Sequence, residues 1–317
     1  MKKRYLSNTG LNISPVIFGG NVFGWTINEK QSFEILDAFV DLGFDTIDTA
    51  DVYSGWAPGN SGGESEIIIG RWLNSRPGIR DKVKIFTKGG ADVGDPNAKG
   101  LSSKWIKQAC EDSLRRLKTD HVDVYFSHFP DDDTPHEETL SAYQDLIDSG
   151  KIQILGASNF SAKQLLDAQS ASHSSGLQPY QIIQPEYNLY DRNFFESELR
   201  AVSEKLNLAV VTYYSLASGF LSGKYRTLDS IKHSARAEDL SKYFNQKGHE
   251  ILKAIEKTSI KYNATMTEIA LAWLLSRPGV SAPIASATTP LQLASFKRAT
   301  ELHLSDEDIK LLCDTGQ

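Results

Sequence analysis

A chain of 317 residues with 40% hydrophobic and 23% charged side chains is long enough for a large core and has an ordinary globular composition. Its formal net charge of −6 argues against nucleic acid as a partner, and its two distant cysteines, Cys110 and Cys313, suggest neither metal spacing nor a disulfide framework. The basic opening MKKRYLSNTGLNIS has no apolar run behind it, and nothing approaches the ~18 apolar residues of a membrane span, so a cytoplasmic protein without a membrane partner is expected.

Arg4–Ser14 reads as a strand pair around Asn8-Thr9-Gly10, suited to close the bottom of a barrel. One rhythm then repeats: a short β-leaning apolar run, a polar turn, and a helix-period segment. The strand candidates are Val16–Phe18, Asp45–Asp48, Val83–Thr87, Val122–Ser127, Gln153–Ala157, Ile182–Glu186, Ala209–Tyr214 and Ala282–Ala285. Helices are expected at Gln31–Leu42, Ser65–Leu73, Lys104–Leu117, Pro135–Asp148, Ala162–Ser170, Phe195–Leu206 and Thr267–Leu275. Near-continuous apolar strands are buried on both faces, and parallel strands need crossover helices. Eight such units predict a single α/β domain over residues 1–317. It would be a closed (β/α)8 TIM barrel with an N-terminal β-hairpin and extra terminal helices. An open doubly wound sheet is disfavoured, because no G-x-G-x-x-G opens a helix. Gly219–Gly248 is polar and reads as a long irregular loop after the seventh barrel strand.

Barrel enzymes carry their chemistry at the carboxyl ends of the strands. That rim holds Asp48 with Tyr53 just beyond, Lys88, His128, Ser158-Asn159, Gln184, Tyr214 and Ser286. A phenol ionises near 10, so proton transfer near neutrality calls for a cation beside it. Lys88 can supply that charge, Asp48 can hold the lysine, and His128 can orient a carbonyl. The four offer neither a nucleophile nor a metal cage. A carbonyl that receives a proton still needs an electron pair, and a hydride cofactor is the natural source.

The ordered segments DTADVY (Asp48, Tyr53), FTKGG (Lys88), YFSH (His128), GKIQILGASNF, IIQPEYNLYDR, TYYSLASGFLSGKY and APIASATTPLQL resemble the aldo-keto reductases along the whole chain. The resemblance implies a barrel that binds NADP(H) in an extended pose without a metal and reduces an aldehyde or ketone reversibly. Tyr53 would be the acid, assisted by Asp48, Lys88 and His128. Ser158, Asn159 and Gln184 would hold the nicotinamide carboxamide, and Tyr214 would stack on its ring. Ser215, Leu216, Ser218 and Gly219, with Lys224 behind them, would meet the pyrophosphate. The segment with Ser286, Thr288 and Gln292 would surround the adenosine ribose and its 2′-phosphate. Many family members carry a lysine and an arginine there; this chain has Ser286 and Gln292, with Lys297 and Arg298 a turn later. NADP(H) is therefore favoured and NAD(H) remains open.

Other features take simpler readings. Asp131-Asp132-Asp133 fits a solvated loop leading into a helix N-terminus, and Asp51 fits loop scaffolding. Cys110 falls on a core helix face, and His233, His249 and His303 read as surface residues. Trp25 and Trp56 are candidate substrate walls, and the loops Asn21–Asn28, Ser54–Gly63 and Gly219–Gly248 would set substrate choice. The short segment after the last helix predicts an open site for a small-molecule carbonyl or alcohol; the oligomeric state is not readable. Two alternatives stand beside the reductase: a cofactor-binding regulatory subunit of the same fold with little turnover, and a cofactor-free barrel lyase or isomerase using Tyr53 and Lys88.

Overall fold

The computed structural model describes residues 2–92 and 98–316. Strands β1 (Arg4–Tyr5) and β2 (Asn12–Ile13) pair antiparallel across a turn whose Gly10 sits at φ 74°, where a side chain would be strained. Among the described residues, eight parallel strands follow: β3 (Ile17–Gly19), β4 (Thr46–Asp48), β5 (Lys84–Gly89), β6 (Val122–Ser127), β7 (Ile152–Ser158), β8 (Ile182–Gln184), β9 (Ala209–Thr212) and β10 (Val280–Ala285). They pair in chain order and β10 closes on β3, giving the expected (β/α)8 barrel.

Helices α1 (Glu29–Asp41), α2 (Glu64–Ser75), α3 (Ser103–Leu117), α4 (His136–Asp148), α5 (Ala162–Ser175) and α6 (Arg200–Lys205) fill the gaps up to β9. Sequence-local caps start several of them. Asn28 with Gln31 and Ser161 with Gln164 form capping boxes on α1 and α5, and Ser102 caps α3. α5 runs five residues beyond the expected Ser170, because Ala171 and Ser172 still pack inward and Gly176 supplies the left-handed stop. α6 is preceded by a π-helical turn at Phe195–Leu199.

The stretch Gly219–Gly248 is more ordered than expected. It carries 3-10 turns at Ala217–Ser222 and Leu228–Ile231, then α7 (Ala237–Ser241), before α8 (Gln246–Tyr262) begins. Ile231 and Leu240 are buried and anchor it. α9 (Met266–Ser276) leads into β10, and α10 (Pro290–Glu301) and α11 (Asp306–Asp314) are the extra terminal helices.

Two cores share the strands. The inner one fills the barrel with Ile17, Phe86, Val124, Phe126, Ile154, Ile182, Val211 and Ile284, and Leu6 and Ile13 of the hairpin pack into it as a floor. The outer one lies between strands and helices and includes Ile47, Ile85, Tyr125, Leu155 and Trp273. Among the described residues, no helix is long and apolar enough to cross a membrane.

Candidate active site

Strand alternation decides what reaches the barrel mouth. In β5 Phe86 belongs to the inner core and Ile85 to the outer layer, so Lys88 follows Phe86 in phase. The same phase carries β6 from Val124 and Phe126 to His128, β7 from Ile154 to Ser158, and β8 from Ile182 to Gln184. Each inward row is apolar below and polar at its carboxyl end. Gly156 serves this packing: a Cβ there would lie 2.3 Å from the Phe126 ring.

At the mouth, Lys88 Nζ donates to Asp48 Oδ2 at 2.7 Å, to the Thr49 carbonyl at 2.8 Å and to Tyr53 Oη at 2.9 Å. Tyr53 Oη lies 3.3 Å from the same Asp48 oxygen, and Gln184 Nε2 donates to the other at 2.9 Å. Asp48 and Lys88 are both 1% exposed. A buried ion pair is kept only when its remaining hydrogen-bonding capacity is met, and here it is.

The electrostatics depart from one expectation. Burial, then the Asp48 carboxylate, push the Tyr53 phenol well above 10. Lys88 was expected to favour the phenolate, but burial and Asp48 outweigh it, so the phenol holds its proton. Burial also lowers Lys88, against Asp48, Asp51 and Glu66, which raise it. His128 is held well below 6.5 by burial and by Lys88, leaving a neutral ring whose Nδ1 is buried without a partner.

These groups open into a cavity of about 1380 Å³ across the barrel mouth. Asp48, Tyr53, His128, Ser158, Asn159, Gln184, Tyr214, Ser215, Leu216, Ser218, Gly219, Lys224, Ser286, Thr288, Gln292, Trp25 and Trp56 all line it, and Lys88 is buried behind Asp48 and Tyr53. Several are already engaged. Asn159 gives Nδ2 to the His128 carbonyl and to Ser158 Oγ, and its Oδ1 accepts from Tyr213. Ser286 Oγ lies 2.7 Å from both the Gly19 carbonyl and Asn21 Oδ1, and Gln292 Oε1 accepts from Thr288 N. Trp25 and Trp56 meet edge to face at 5.4 Å, and Trp56 meets the Tyr53 ring at 6.0 Å. Lys297 and Arg298 are exposed and do not line the cavity.

A model of the Aldo/keto reductase family matches residues 15–315. The chain belongs to the aldo/keto reductase family. Similar proteins include the uncharacterized oxidoreductase YrpG of Bacillus subtilis, 33% identical over 99% of this chain and 95% of that protein. The aldo-keto reductase YhdN of the same organism is 31% identical over 98% of this chain and 92% of its own length. A probable voltage-gated potassium channel beta subunit of Oryza sativa is 32% identical over 95% of this chain and 92% of its own length. As an aldo/keto reductase the protein is an NAD(P)H-dependent oxidoreductase, of a family acting on small carbonyl compounds.

Two cavity residues of this aldo/keto reductase escape a reading of its sequence. Tyr213, beside the anticipated Tyr214, is the one tied by its hydroxyl to Asn159, at 2.7 Å. Tyr214 sits at φ 51° and is 38% exposed. Arg236, from the long loop, stacks its guanidinium 4.9 Å from the Trp25 ring. The acidic run resolves as loop structure: Asp131 accepts from Leu101 N, Asp133 N and Thr134 Oγ1. Asp51 ties its loop to β5 by donating its N–H to the Lys88 carbonyl, and its carboxylate is 5% exposed with no hydrogen bond of normal geometry. Cys110 is buried, and His233, His249 and His303 are exposed.

Proposed function

We propose that this aldo/keto reductase interconverts an aldehyde or ketone and its alcohol, with NADPH as the favoured hydride donor and Tyr53 as the proton donor. The observation that carries the reading is the single buried Lys88 ammonium bonded to both Asp48 and Tyr53, which line the cavity. A phenol kept protonated by its surroundings is an acid at rest. Proton loss to a carbonyl oxygen leaves a phenolate 2.9 Å from a cation, which offsets the cost of a buried anion. His128, neutral and adjacent, would offer a ring N–H to the same oxygen without competing for its proton.

The cavity suits an extended dinucleotide. Ala217, Ser218 and Gly219 form a left-handed run, of the kind that gathers backbone N–H groups around anions, and Ser218 Oγ is buried without a partner. Lys224 and Arg236 are cations on that side. Ser158 and Gln184 would take the carboxamide, with one Asn159 oxygen lone pair remaining, and Tyr213 and Tyr214 would flank the nicotinamide. When bound, the cofactor supplies the hydride; the protein aligns the carbonyl, excludes water and delivers the proton. Among the described residues no lysine or arginine beside Ser286, Thr288 and Gln292 in the chain lines the cavity, so we expect modest discrimination between NADPH and NADH.

Turnover of a panel of aldehydes, ketones and sugars with both cofactors tests this. Consumption of NADPH with alcohol formation is the expected result. The relatives named as channel beta subunits favour a second reading, a cofactor-binding subunit with little turnover. Quenching of Trp25 and Trp56 fluorescence by NADPH with no turnover would select it.

A further inference from the structure

A buried carboxylate beside Lys88 has no part in the roles above. Asp51 lies on the turn between β4 and α2, and its backbone N–H donates to the Lys88 carbonyl at 3.1 Å. Its side chain is 5% exposed, and neither oxygen has a hydrogen-bond partner of normal geometry. The amides of Val52 and Gly90 favour its anion only weakly. Such a group is costly to bury, so its position asks for a reason.

The charges around it come from every neighbouring layer. Glu66 on α2 and Arg116 on α3 act on it most strongly; it acts in turn on Lys88 in β5, Tyr125 in β6 and Tyr143 in α4. Cys110 on α3, next to Tyr125, is a neutral thiol pushed up to about 12. Glu66 is fully buried and already committed, Oε1 to Thr87 at 2.5 Å and Oε2 to Arg116 Nε at 2.6 Å. Arg116 thus faces Asp51 and Asp112 as well as Glu66, and of the three Glu66 holds the hydrogen bond to its Nε.

We propose that Asp51 is a positioning residue for Lys88: its unpartnered carboxylate, seated against the Glu66–Arg116 pair, supplies the further negative charge that keeps the buried ammonium protonated as the pH rises. Burial works to strip Lys88 of its proton, and Asp48 alone opposes that from within the site. Burial and Glu66 push the Asp51 carboxyl up to about 7. Its charge is thus in place above neutrality, and it adds to Asp48 against the burial that lowers Lys88. Loss of the ammonium would leave Asp48 unpaired and the Tyr53 phenolate without its cation. The consequence for turnover rests on Tyr53 being the acid; the coupling between Asp51 and Lys88 does not.

Asp51→Asn, nearly isosteric and permanently neutral, tests it. Lysine side-chain NMR, with the Lys88 signal assigned by its loss in Lys88→Met, should show the ammonium deprotonating at lower pH in Asp51→Asn than in the natural protein. The ratio of kcat at about pH 9 to kcat at about pH 6 should fall about tenfold in the variant. An unmoved Lys88 titration overturns the proposal even if no carbonyl is ever turned over. Absence of turnover in the natural protein with an altered Lys88 titration would sink the reductase reading alone. Should Asp51→Asn fail to fold, carboxyl NMR of the natural protein still decides: ionisation near neutrality is expected, and a carboxyl still protonated at about pH 9 overturns the coupling.

Discussion

The Lys88 ammonium lies 2.9 Å from the Tyr53 phenol oxygen at the carboxyl ends of the barrel strands, the lysine buried and the tyrosine half-buried at the cavity wall. The contact joins two residues 35 positions apart, brought together because β4 and β5 are neighbours in parallel register. On the proposed reading it favours proton movement from the phenol to the substrate. The phenol is neutral at rest, and the nearest cation gains most once the proton has gone.

Tyr53→Phe removes the hydroxyl and keeps the ring, with its edge contacts to Trp56 and His128. Cofactor affinity should be unchanged while kcat falls by about 10²-fold or more, as for a lost general acid. Fluorescence titration beside steady-state rates checks this; equal losses in affinity and rate would remove Tyr53 from the acid's role.

Lys88→Met leaves Asp48 buried, with the Gln184 amide as its remaining side-chain donor besides Tyr53. Breaking one half of a buried pair costs about 3–5 kcal/mol, to be read from urea unfolding. Asp48→Asn in the same chain should recover much of that loss. With the cation gone, burial and Asp48 act on the phenol unopposed. In the alcohol-oxidising direction, where the phenolate is the base, the rate should therefore rise only at higher pH. An unshifted profile would contradict the assignment.

Much of this site is written in the strand ends. An inward row that runs Phe86–Lys88, Val124–Phe126–His128 or Ile182–Gln184 declares both its burial and its chemistry at period two. Sequence places strand ends less well where chain-specific stops intervene. Pro185 has no N–H to donate and ends β8 at Gln184, short of the expected Glu186. β9 stops at Thr212, which leaves Tyr213 and Tyr214 to be told apart by backbone angle and by a bond to Asn159. Arg236 was hidden because nothing local in a polar loop says that it will fold back onto Trp25. Asp51 was hidden because an aspartate after a strand is ordinarily a turn residue.

His128 should make stability pH-dependent. Its native ring resists protonation, while the unfolded chain takes up the proton near 6.5, so the unfolded state binds more protons as the pH falls. The sign follows: the contribution is intact above about 6.5 and is lost below it, by up to about 1.4 kcal/mol per pH unit. Urea unfolding at about pH 7.5 and 5.5 should show that loss, and His128→Gln should be free of it. Identical slopes in both proteins would place the imidazole's protonation elsewhere.

Asp51 works in the opposite sense. Its native carboxyl keeps its proton up to about 7, whereas the unfolded one releases it near 3.8. The native state binds more protons between those values, so stability falls as the pH rises through them and the cost is complete above about 7. That cost is roughly 4 kcal/mol at about 1.4 kcal/mol per pH unit. Asp51→Asn should therefore be more stable than the natural protein at about pH 8, by more than at about pH 5. The reverse order would show the carboxylate to be stabilised rather than strained.

Gln292 tests the phosphate end. It lines the cavity near the start of α10 and presently holds Thr288 N through its side-chain oxygen, at 2.7 Å. With no lysine or arginine from this segment in the cavity wall among the described residues, the natural protein should prefer NADPH over NADH by about tenfold or less, about 1.4 kcal/mol. Gln292→Arg brings a planar fork suited to a phosphate and should raise that ratio about tenfold or more. Because the added term is a charge pair near solvent, most of it should vanish in about 1 M salt, where screening is complete within a few ångströms. A ratio of kcat/KM values that does not rise, or that rises without salt sensitivity, would place the 2′-phosphate away from this segment, and the cations Lys224 and Arg236 would then be the next positions to vary.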